Sequence, residues 1–345
     1  MRIAIDSGPL NSGHKIRGVG TYTRGLIESL KSLKPRGVEI EAVDFETADL
    51  AKYDIVHYPY FSPFQRTLPI SKPTKIVVTV HDLIPLIYPT HYKPGIKGQI
   101  NFSLQKLALR NIDAIVTDSE TSKKDIVRLL NFEPGRIWVV RLAPKEIFKK
   151  ISDRTFLKTI KEKYKLPDKF VLYVGDVNYN KNIPGLIEAC ELAKLPLVMC
   201  GKQAVEIEDL DLTHPELGHL KPIVGKLKKI SRLGFVPDKD LVGIYNLASL
   251  YCQPSLYEGF GFPVLEAFAS QTPVVAACTQ ALVEIGEGAC LFADPNDPKE
   301  MAAKFTQILK EAALRRELVT KGEEKSTEFS WSKVAKETLE VYAKV

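Results

Sequence analysis

Short apolar runs rich in β-branched residues alternate along the chain with amphipathic stretches, in which apolar residues recur every three or four positions. This alternation predicts strands that are each followed by a helix, and hence helices layered on parallel sheets. In the first half of the chain, the predicted strands are residues 2–6, 39–45, 55–58, 75–83, 114–119 and 137–142, and helical patterns cover 20–33 and 99–110.

The strand pattern starts again at residue 170, after a Lys- and Glu-rich helical stretch at 153–165 and a Leu-Pro-Asp turn. We therefore predict α/β domains at 1–165 and 166–328, and a helix within 329–345 that packs back on the first domain. Open sheets of this kind bind ligands beyond the carboxyl ends of their strands. The predicted strands of the second domain are residues 170–175, 197–201, 230–236, 249–253, 273–277 and 289–293.

Composition narrows the class of protein. With 345 residues, 45% of them hydrophobic and 26% charged, the chain has the length of two domains and the make-up of a soluble globular protein. Disordered, fibrous and polytopic membrane proteins are excluded. Asp6 follows the first apolar residues directly, as in a strand and not in a signal peptide, so we expect a cytoplasmic protein. The five cysteines form no C-x-x-C pair, which predicts reduced core thiols and no metal site.

Charge is divided unevenly between the two predicted domains. Residues 1–165 carry 28 Lys and Arg against 17 Asp and Glu, a net charge of +11, and the remainder carries 20 against 25, or −5. A basic first domain predicts contact with an anionic partner, either a phosphate-bearing acceptor or an anionic membrane at its inner face. We expect no nucleic acid, because the sequence has neither an aromatic-rich RNA motif nor a DNA-reading element.

The segment PSLYEGFGFPVLEAF, residues 254–268, carries the clearest chemical signal. Gly259 and Gly261 allow close backbone approach, and Pro263 stands where the first residue of a helix would be. The free amides of a helix start bind phosphate well. Glu258 and Glu266 bracket the turn, and carboxylates are good acceptors for paired sugar hydroxyls. A nucleotide-sugar combines these two kinds of group.

These residues carry a family resemblance. The E-x7-E pattern of Glu258 and Glu266, with its PS-x-x-EGFG-x-P neighbours, closely resembles the retaining glycosyltransferases of family four, the group 1 glycosyltransferases. Residues 173–182, 233–248, 272–275 and 329–331 extend the match, and 17–22 and 79–85 look most like the branch of mannosyltransferases that builds O-antigen-type polysaccharides. The resemblance implies a GT-B architecture, in which two Rossmann-like domains face each other across a deep cleft.

The resemblance also implies roles for individual residues. Glu258 would be catalytic by binding the hydroxyls of the transferred sugar and supporting charge near the anomeric carbon, and His81 would approach the same sugar. Glu266 would hold the donor ribose. The other implied donor-binding residues are Lys181 and the backbone of Gly259, Phe260, Gly261 and Phe262 at the diphosphate, Gly18 and Gly20 in a loop that closes over it, and Val236 and Gly201 at the nucleobase.

One position departs from the family pattern. Many relatives have an arginine directly after the glycine of the diphosphate loop, where this chain has Asp176. Lys181 would then act without its usual cationic neighbour, and Arg232 or Arg17 is the expected substitute. This departure keeps open the alternative of a catalytically silent subunit that only binds a nucleotide-sugar.

The resulting hypothesis is a metal-independent, cofactor-free, retaining hexosyltransferase. Its donor would be a nucleotide-diphosphate sugar, with GDP-mannose favoured and a UDP-sugar as the alternative, and its acceptor a saccharide or lipid-linked saccharide. A sugar-nucleotide epimerase of the same fold stays open. A dinucleotide-binding fingerprint beginning at Gly18 and Gly20 is disfavoured, because no third glycine follows and an eleven-residue loop separates these glycines from the strand.

Overall fold

The computed structural model describes residues 1–15 and 17–345, which form two α/β units. Unit 1 consists of Met1–Ala143 and Phe329–Val345, and unit 2 consists of Pro144–Glu328. Each unit contains a six-stranded parallel sheet. Parallel strands are covered by helices on both faces, which is why the residues of the central strands are mostly apolar and buried, whereas two edge strands, Glu39–Val43 and Ser231–Arg232, have no buried residue.

Unit 1 has the strand order β2-β1-β3-β4-β5-β6. Its strands are β1 (Arg2–Asp6), β2 (Glu39–Val43), β3 (Ile55–Tyr58), β4 (Lys75–Thr79), β5 (Ala114–Thr117) and β6 (Ile137–Val139). Its helices in the first segment are α1 (Gly8–Asn11), α2 (Gly18–Leu33), α3 (Ile84–Ile87), α4 (Gly95–Leu109) and α5 (Glu120–Leu130), with 3-10 turns at Leu50–Lys52 and Pro134–Arg136.

Unit 2 has the strand order β12-β11-β10-β7-β8-β9. Its strands are β7 (Val171–Val174), β8 (Leu197–Cys200), β9 (Ser231–Arg232), β10 (Leu250–Gln253), β11 (Val274–Ala277) and β12 (Cys290–Ala293). Its helices are α6 (Arg154–Lys163), α7 (Ile183–Ala193), α8 (Lys202–Glu206), α9 (Asp238–Leu247), α10 (Phe262–Ala269), α11 (Gln280–Gly286), α12 (Pro298–Lys310) and α13 (Ala312–Thr327). The 3-10 segments are Tyr179–Lys181, Ile207–Asp209 and Gly218–Lys229.

All the predicted strands occur, several of them shorter than predicted, but the boundary between the units lies at residues 143/144 and not at 165/166. The reason is that α6 packs on α9: the Ile160 side chain lies 2.9 Å from where a Cβ on Gly243 would be. Lys163 and Tyr164 also bond to Asp240, at 2.6 and 2.7 Å. The basic α6 region therefore belongs to unit 2.

The corrected boundary reduces the charge asymmetry. Unit 1 carries 23 Lys and Arg against 16 Asp and Glu, a net charge of +7, and unit 2 carries 25 against 26, or −1. Unit 1 is still the basic unit, although less strongly than predicted. In the part of the chain that the structure describes, no helix has both the length and the apolar character needed to cross a bilayer.

The last helix, α14 (Trp331–Lys344), belongs to unit 1 and packs on α2. Its Tyr342 reaches a buried polar chain inside the unit. The Tyr342 hydroxyl lies 2.6 Å from Nδ1 of His57, His57 Nε2 lies 2.8 Å from the Thr79 hydroxyl, and that hydroxyl lies 2.7 Å from the Tyr22 hydroxyl. Burial lowers the pKa of His57 to about 3, so its ring is neutral and can donate through one nitrogen and accept through the other.

The contact between α2 and α14 gives a first prediction, at Gly25. Alanine is normally the better helix residue by about 0.5–1 kcal/mol. A Cβ on Gly25 would, however, lie 2.4 Å from ring atoms of Trp331, so Gly25→Ala should lower the free energy of unfolding by about 1–3 kcal/mol. Urea unfolding measures this. Gly25→Ala in a Trp331→Ala background should be neutral or stabilising, and an equal loss in both backgrounds would contradict the argument.

Candidate active site

Glu258 lies in the loop between β10 and α10 and is held by several donors. The residue is only 8% exposed. Its Oε1 accepts hydrogen bonds from Gln253 Nε2 at 2.8 Å, Ser255 Oγ at 2.6 Å and Lys181 Nζ at 2.8 Å, and its Oε2 accepts from Lys181 at 2.9 Å. Gln253 in turn accepts from the Tyr251 hydroxyl. The carboxylate is therefore fixed before any ligand binds.

Lys181 reaches Glu258 because its loop is bonded to the loop that carries the carboxylate. Strands β7 and β10 are neighbours in the sheet, so the segments that follow them begin side by side. Asn180 Nδ2 donates to the Tyr257 carbonyl at 3.0 Å, and the Leu256 amide donates to the Asn180 carbonyl at 2.7 Å. The pairing of Lys181 with Glu258 thus follows from the sheet topology.

Gly261 sets the turn into α10. Its φ is +130°, in the region that favours glycine, and a Cβ there would lie 2.8 Å from Ile285 Cδ1. The helix α10 begins at Phe262, one residue before Pro263, which was predicted to be its first residue. Phe260 is buried, and its ring centre lies 5.9 Å from that of Phe262. The turn around Gly259 is therefore rigidly packed and presents the start of a helix next to Glu258.

Glu266 lies on α10 in a different environment from Glu258. The Tyr245 hydroxyl donates to its Oε2 at 3.0 Å. Burial raises the pKa of this half-buried carboxyl group from 4.5 to about 7, although the Tyr245 hydrogen bond and Lys145 act in the opposite direction. The rings of Tyr245 and Tyr251 lie 5.7 Å apart, so buried side chains of α9 and β10 connect the surroundings of the two carboxylates.

The raised pKa predicts an unusual effect of Glu266→Gln. Between pH 4.5 and 7 the folded protein holds a proton on Glu266 that the unfolded chain releases, so stability falls as pH rises through that window. Removing the charge should therefore raise the free energy of unfolding at pH 8, by up to about 3 kcal/mol, and change little at pH 4. Urea unfolding at both pH values tests this. The raised pKa of Glu266 would be disproved if the unfolding free energy of the variant minus that of wild type were lower at pH 8 than at pH 4.

The residues predicted at the nucleobase follow other strands of the same sheet. Gly201 has a φ of +155°, and a Cβ there would lie 2.1 Å from the Gly175 carbonyl oxygen, so the ends of β7 and β8 touch through backbone alone. Val236 is buried. Arg232 makes a two-pronged ion pair with Glu208, at 2.6 and 2.7 Å, whereas Lys181 is the cation that reaches Glu258. Arg232, which was predicted to bind the donor, is therefore paired with Glu208 in this structure.

His81 lies in unit 1, after β4. Its Nδ1 is 2.7 Å from Asp118 Oδ2 and its Nε2 is 3.2 Å from the Pro59 carbonyl oxygen. Burial acts to lower the pKa of His81, but the Asp118 carboxylate more than offsets this and the pKa is raised. Because both ring nitrogens face acceptors, the protonated ring satisfies both contacts. The Tyr22 ring packs edge-on against His81, with the ring centres 4.7 Å apart.

In the predicted glycine loop of unit 1, the Gly20 amide is already hydrogen-bonded within the loop. A Cβ on Gly20 would lie 2.4 Å from the His14 carbonyl oxygen, and the Gly20 amide donates to that oxygen at 3.2 Å. This amide is therefore used internally in the present conformation. Gly18, the first residue of α2, has open space where a Cβ would be.

Several supporting residues escaped prediction. Gln253 and Ser255 lie five and three positions before Glu258, and their polarity at the end of an apolar strand was an available signal. Asp118 follows β5, next to β4 in the sheet, which explains why it meets His81. Its Oδ1 is buried and has no hydrogen-bond partner among the residues described. Outside residue 16, no group of three His, Cys, Asp or Glu side chains could hold a metal ion, and metal independence stays a prediction.

Comparisons with known proteins identify the family of the chain. Residues 157–325 match the family model described as glycosyl transferases group 1, and residues 45–142 match that of glycosyltransferase family 4. The chain is 31% identical over 324 residues to the O-antigen chain mannosyltransferase B of Escherichia coli, covering 92% of this chain and 80% of that protein. It is 30% identical over 283 residues to the serotype-specific mannosyltransferase WbdA of the same species, but spans only 34% of that longer protein.

Solved structures support the fold. HepE of Anabaena, crystallised in complex with UDP-glucose, has a TM-score of 0.76 at 16% identity and covers both chains fully. WaaG, a glycosyltransferase involved in lipopolysaccharide biosynthesis, has a TM-score of 0.68 at 12% identity and covers 98% of each chain. The predicted GT-B fold class, with two Rossmann-like units, is confirmed. On these sequence matches, the chain belongs to the group 1 glycosyltransferases, family four.

Proposed function

We propose that this glycosyltransferase moves a mannosyl residue from a nucleotide-diphosphate donor to a saccharide or lipid-linked saccharide, with retention and without a metal. The observation that carries the proposal is the ion pair of the buried Glu258 with the partly buried Lys181, beside the start of α10. It combines a fixed carboxylate for sugar hydroxyls with a cation and backbone amides for a diphosphate. The mannosyltransferase relatives support the choice of sugar.

Glu258 and Lys181 are proposed to act together on the donor. Oε1 of Glu258 already accepts three hydrogen bonds and Oε2 accepts from Lys181, so Oε2 has more capacity left for a sugar hydroxyl. The Lys181 ammonium group would contact both Glu258 and a diphosphate placed near it. It would thereby stabilise the negative charge that develops on the leaving diphosphate. Gly259, Phe260, Gly261 and Phe262 would contribute backbone amides, and Glu266 would accept from the donor ribose.

His81 is proposed as a second catalytic residue, acting as a hydrogen-bond donor and not as a base. Asp118 stabilises the protonated ring at Nδ1, and Nε2 would orient a sugar hydroxyl by exchanging its 3.2 Å contact with the Pro59 carbonyl for a hydrogen bond to that hydroxyl. The acceptor proton would pass to an oxygen of the departing phosphate, with attack on the face that the phosphate leaves. The protein's task is then positioning and charge stabilisation.

GDP-mannose is the donor we propose, with a UDP-sugar as the alternative. Gly201 and Val236 offer backbone to a base and do not discriminate between bases by side chain. Gly18 and Gly20 are proposed to approach the diphosphate only after their loop rearranges, since the Gly20 amide is engaged with His14. For Arg232, a role at the donor requires release from Glu208.

The proposed setting is the cytoplasm, at the inner face of an anionic membrane. Along α4, Ile96, Ile100 and Leu107 are 81%, 57% and 44% exposed, and they recur at spacings of four and seven residues on one helical face. Lys97 and Lys106 are exposed on the same helix. An apolar stripe flanked by lysines is typical of helices that rest on anionic lipid.

The test is a transfer assay with GDP-mannose and UDP-glucose, a panel of mannosylated acceptors, and determination of the anomeric configuration of the product. We expect mannose transfer with an α-linked product and nucleotide binding by calorimetry. Donor conversion without acceptor would favour an epimerase. Tight nucleotide binding without transfer to any acceptor would favour a silent subunit, the alternative suggested by Asp176.

A further inference from the structure

Unit 1 has a surface pocket of about 600 Å³ that the proposed reaction does not use. It lies at the amino ends of the strands: Asp113 directly precedes β5 and Arg136 directly precedes β6. His81 and Asp118 follow the carboxyl ends of β4 and β5. The pocket is therefore at the opposite edge of the sheet from the candidate catalytic histidine.

The pocket is strongly basic. Lys72, Arg110, Arg136 and Lys344 line it, against one carboxylate side chain, that of Asp113. Asp113 is already engaged, because its Oδ1 accepts from Lys72 at 2.6 Å and its Oδ2 from the Ile76 amide at 2.8 Å. Within the described ranges, the other three cations have no ion pair. The side chains that line the pocket therefore carry a net positive charge, which favours an anionic ligand.

Arg136 is the best-oriented of these cations. Its Nε donates to the Asp113 carbonyl oxygen at 2.9 Å, and its guanidinium carbon lies 5.0 Å from the centre of the Phe132 ring. Both contacts hold the planar group in place, and a held guanidinium is well suited to a phosphate. Trp138 also lines the pocket and supplies an aromatic wall.

The pocket continues from the apolar stripe of α4. Arg110 is the residue that caps α4, three positions after Leu107, so it extends the face that carries Ile96, Ile100 and Leu107. A phosphate in the pocket would thus lie beside an apolar helix face. This juxtaposition matches the surface of a bilayer, in which phosphates lie above acyl chains.

We propose that this pocket binds the phosphate of an anionic phospholipid while the α4 stripe rests in the same leaflet. The proposal deepens the membrane contact included in the proposed function and rests on it. The lipid is distinct from the acceptor, because the pocket and His81 lie at opposite edges of the sheet. Free phosphate has the same chemistry, and the experiment separates the two sources.

The test uses Trp331→Phe protein, in which Trp138 is the one remaining tryptophan. Its fluorescence is followed with inorganic phosphate, with phosphatidylcholine vesicles, and with vesicles that also contain phosphatidylglycerol. We expect saturable changes with phosphate and with the anionic vesicles. Arg110→Gln with Lys344→Gln should weaken vesicle binding about tenfold or more. Among residues 1–15 and 17–345, neither Arg110 nor Lys344 has an ion pair that the substitution would break. Arg136→Gln is an independent second variant.

The control removes two exposed cations elsewhere in unit 1, by Lys31→Gln with Lys124→Gln, and should change vesicle binding less than threefold. Equal weakening by both pairs would overturn the pocket and indicate general charge attraction. Binding of phosphate without binding of anionic vesicles would overturn the lipid assignment, and no binding of either would overturn both. The affinity for GDP-mannose, measured on the same variants, should be unchanged. If none of these proteins bound GDP-mannose, that result would count against the proposed transferase and not against the pocket.

Discussion

Glu258→Gln should lower kcat for sugar transfer by about 10³-fold while the protein stays folded. The substitution keeps the size of the side chain and the acceptor oxygen that Gln253 and Ser255 use, but it removes the charge that Lys181 balances. The loss should fall on kcat more than on KM for the donor, because a charge at the reacting carbon matters most in the transition state. Initial rates at varied donor concentration measure the two separately.

The matched control is Glu188→Gln, which removes an exposed glutamate from α7 in the same unit. It should leave both constants unchanged. Nucleotide binding by calorimetry shows whether the Glu258→Gln site is still formed. If the Glu258→Gln variant bound nucleotide and turned over at the wild-type rate, Glu258 would not be a catalytic residue.

Lys181→Met should impair both reaction and stability. The leaving diphosphate loses its nearest proposed cation, which predicts a fall in kcat of about 10²–10³-fold. Glu258, only 8% exposed, also loses the cation that contacts both of its oxygens, and we expect the free energy of unfolding to fall by about 1–3 kcal/mol. Lys169→Met, at an exposed site before β7, should change neither quantity.

A double-mutant cycle separates the two effects of Lys181. If the stability loss comes from the orphaned carboxylate, Lys181→Met combined with Glu258→Gln should recover most of it, while activity stays low. Urea unfolding of the four proteins gives the coupling energy. Additive losses of stability would mean that the ion pair seen in the structure contributes nothing to folding.

The strands and the chemical segment were predictable because both depend on local sequence. Each parallel strand is a short apolar run, and residues 254–268 carry their glycines, proline and glutamates in one stretch. Pro263 alone predicts the start of α10 to within one residue. What the pattern does not contain is the partner of each group: Lys181 comes from a loop more than seventy residues earlier, and only the pairing of β7 with β10 brings it to Glu258.

The unit boundary was mispredicted for a similar reason. The apolar face of α6 indicates that Phe156 and Ile160 are covered, but not by which unit. The answer depends on Gly243, whose missing side chain makes room for α6 on α9. The buried hydrogen-bond chain from Tyr342 to Tyr22 could not be predicted either. A histidine such as His57 within an apolar strand is equally typical of a packed core position, and its sequence neighbours do not reveal its partners.

The discontinuous make-up of unit 1 affects how the protein is made. The sheet of unit 1 leaves the ribosome before unit 2, whereas α14, whose Tyr342 hydroxyl bonds to His57 across 285 positions of sequence, leaves after unit 2. All of unit 2 is synthesised in between. During translation, unit 1 is therefore without α14 for some time, so the face of α2 and His57 of β3 are uncovered. In the same interval, unit 2 already has every residue it needs to fold. Unit 2, and not the amino-terminal unit, is the first that can complete its core.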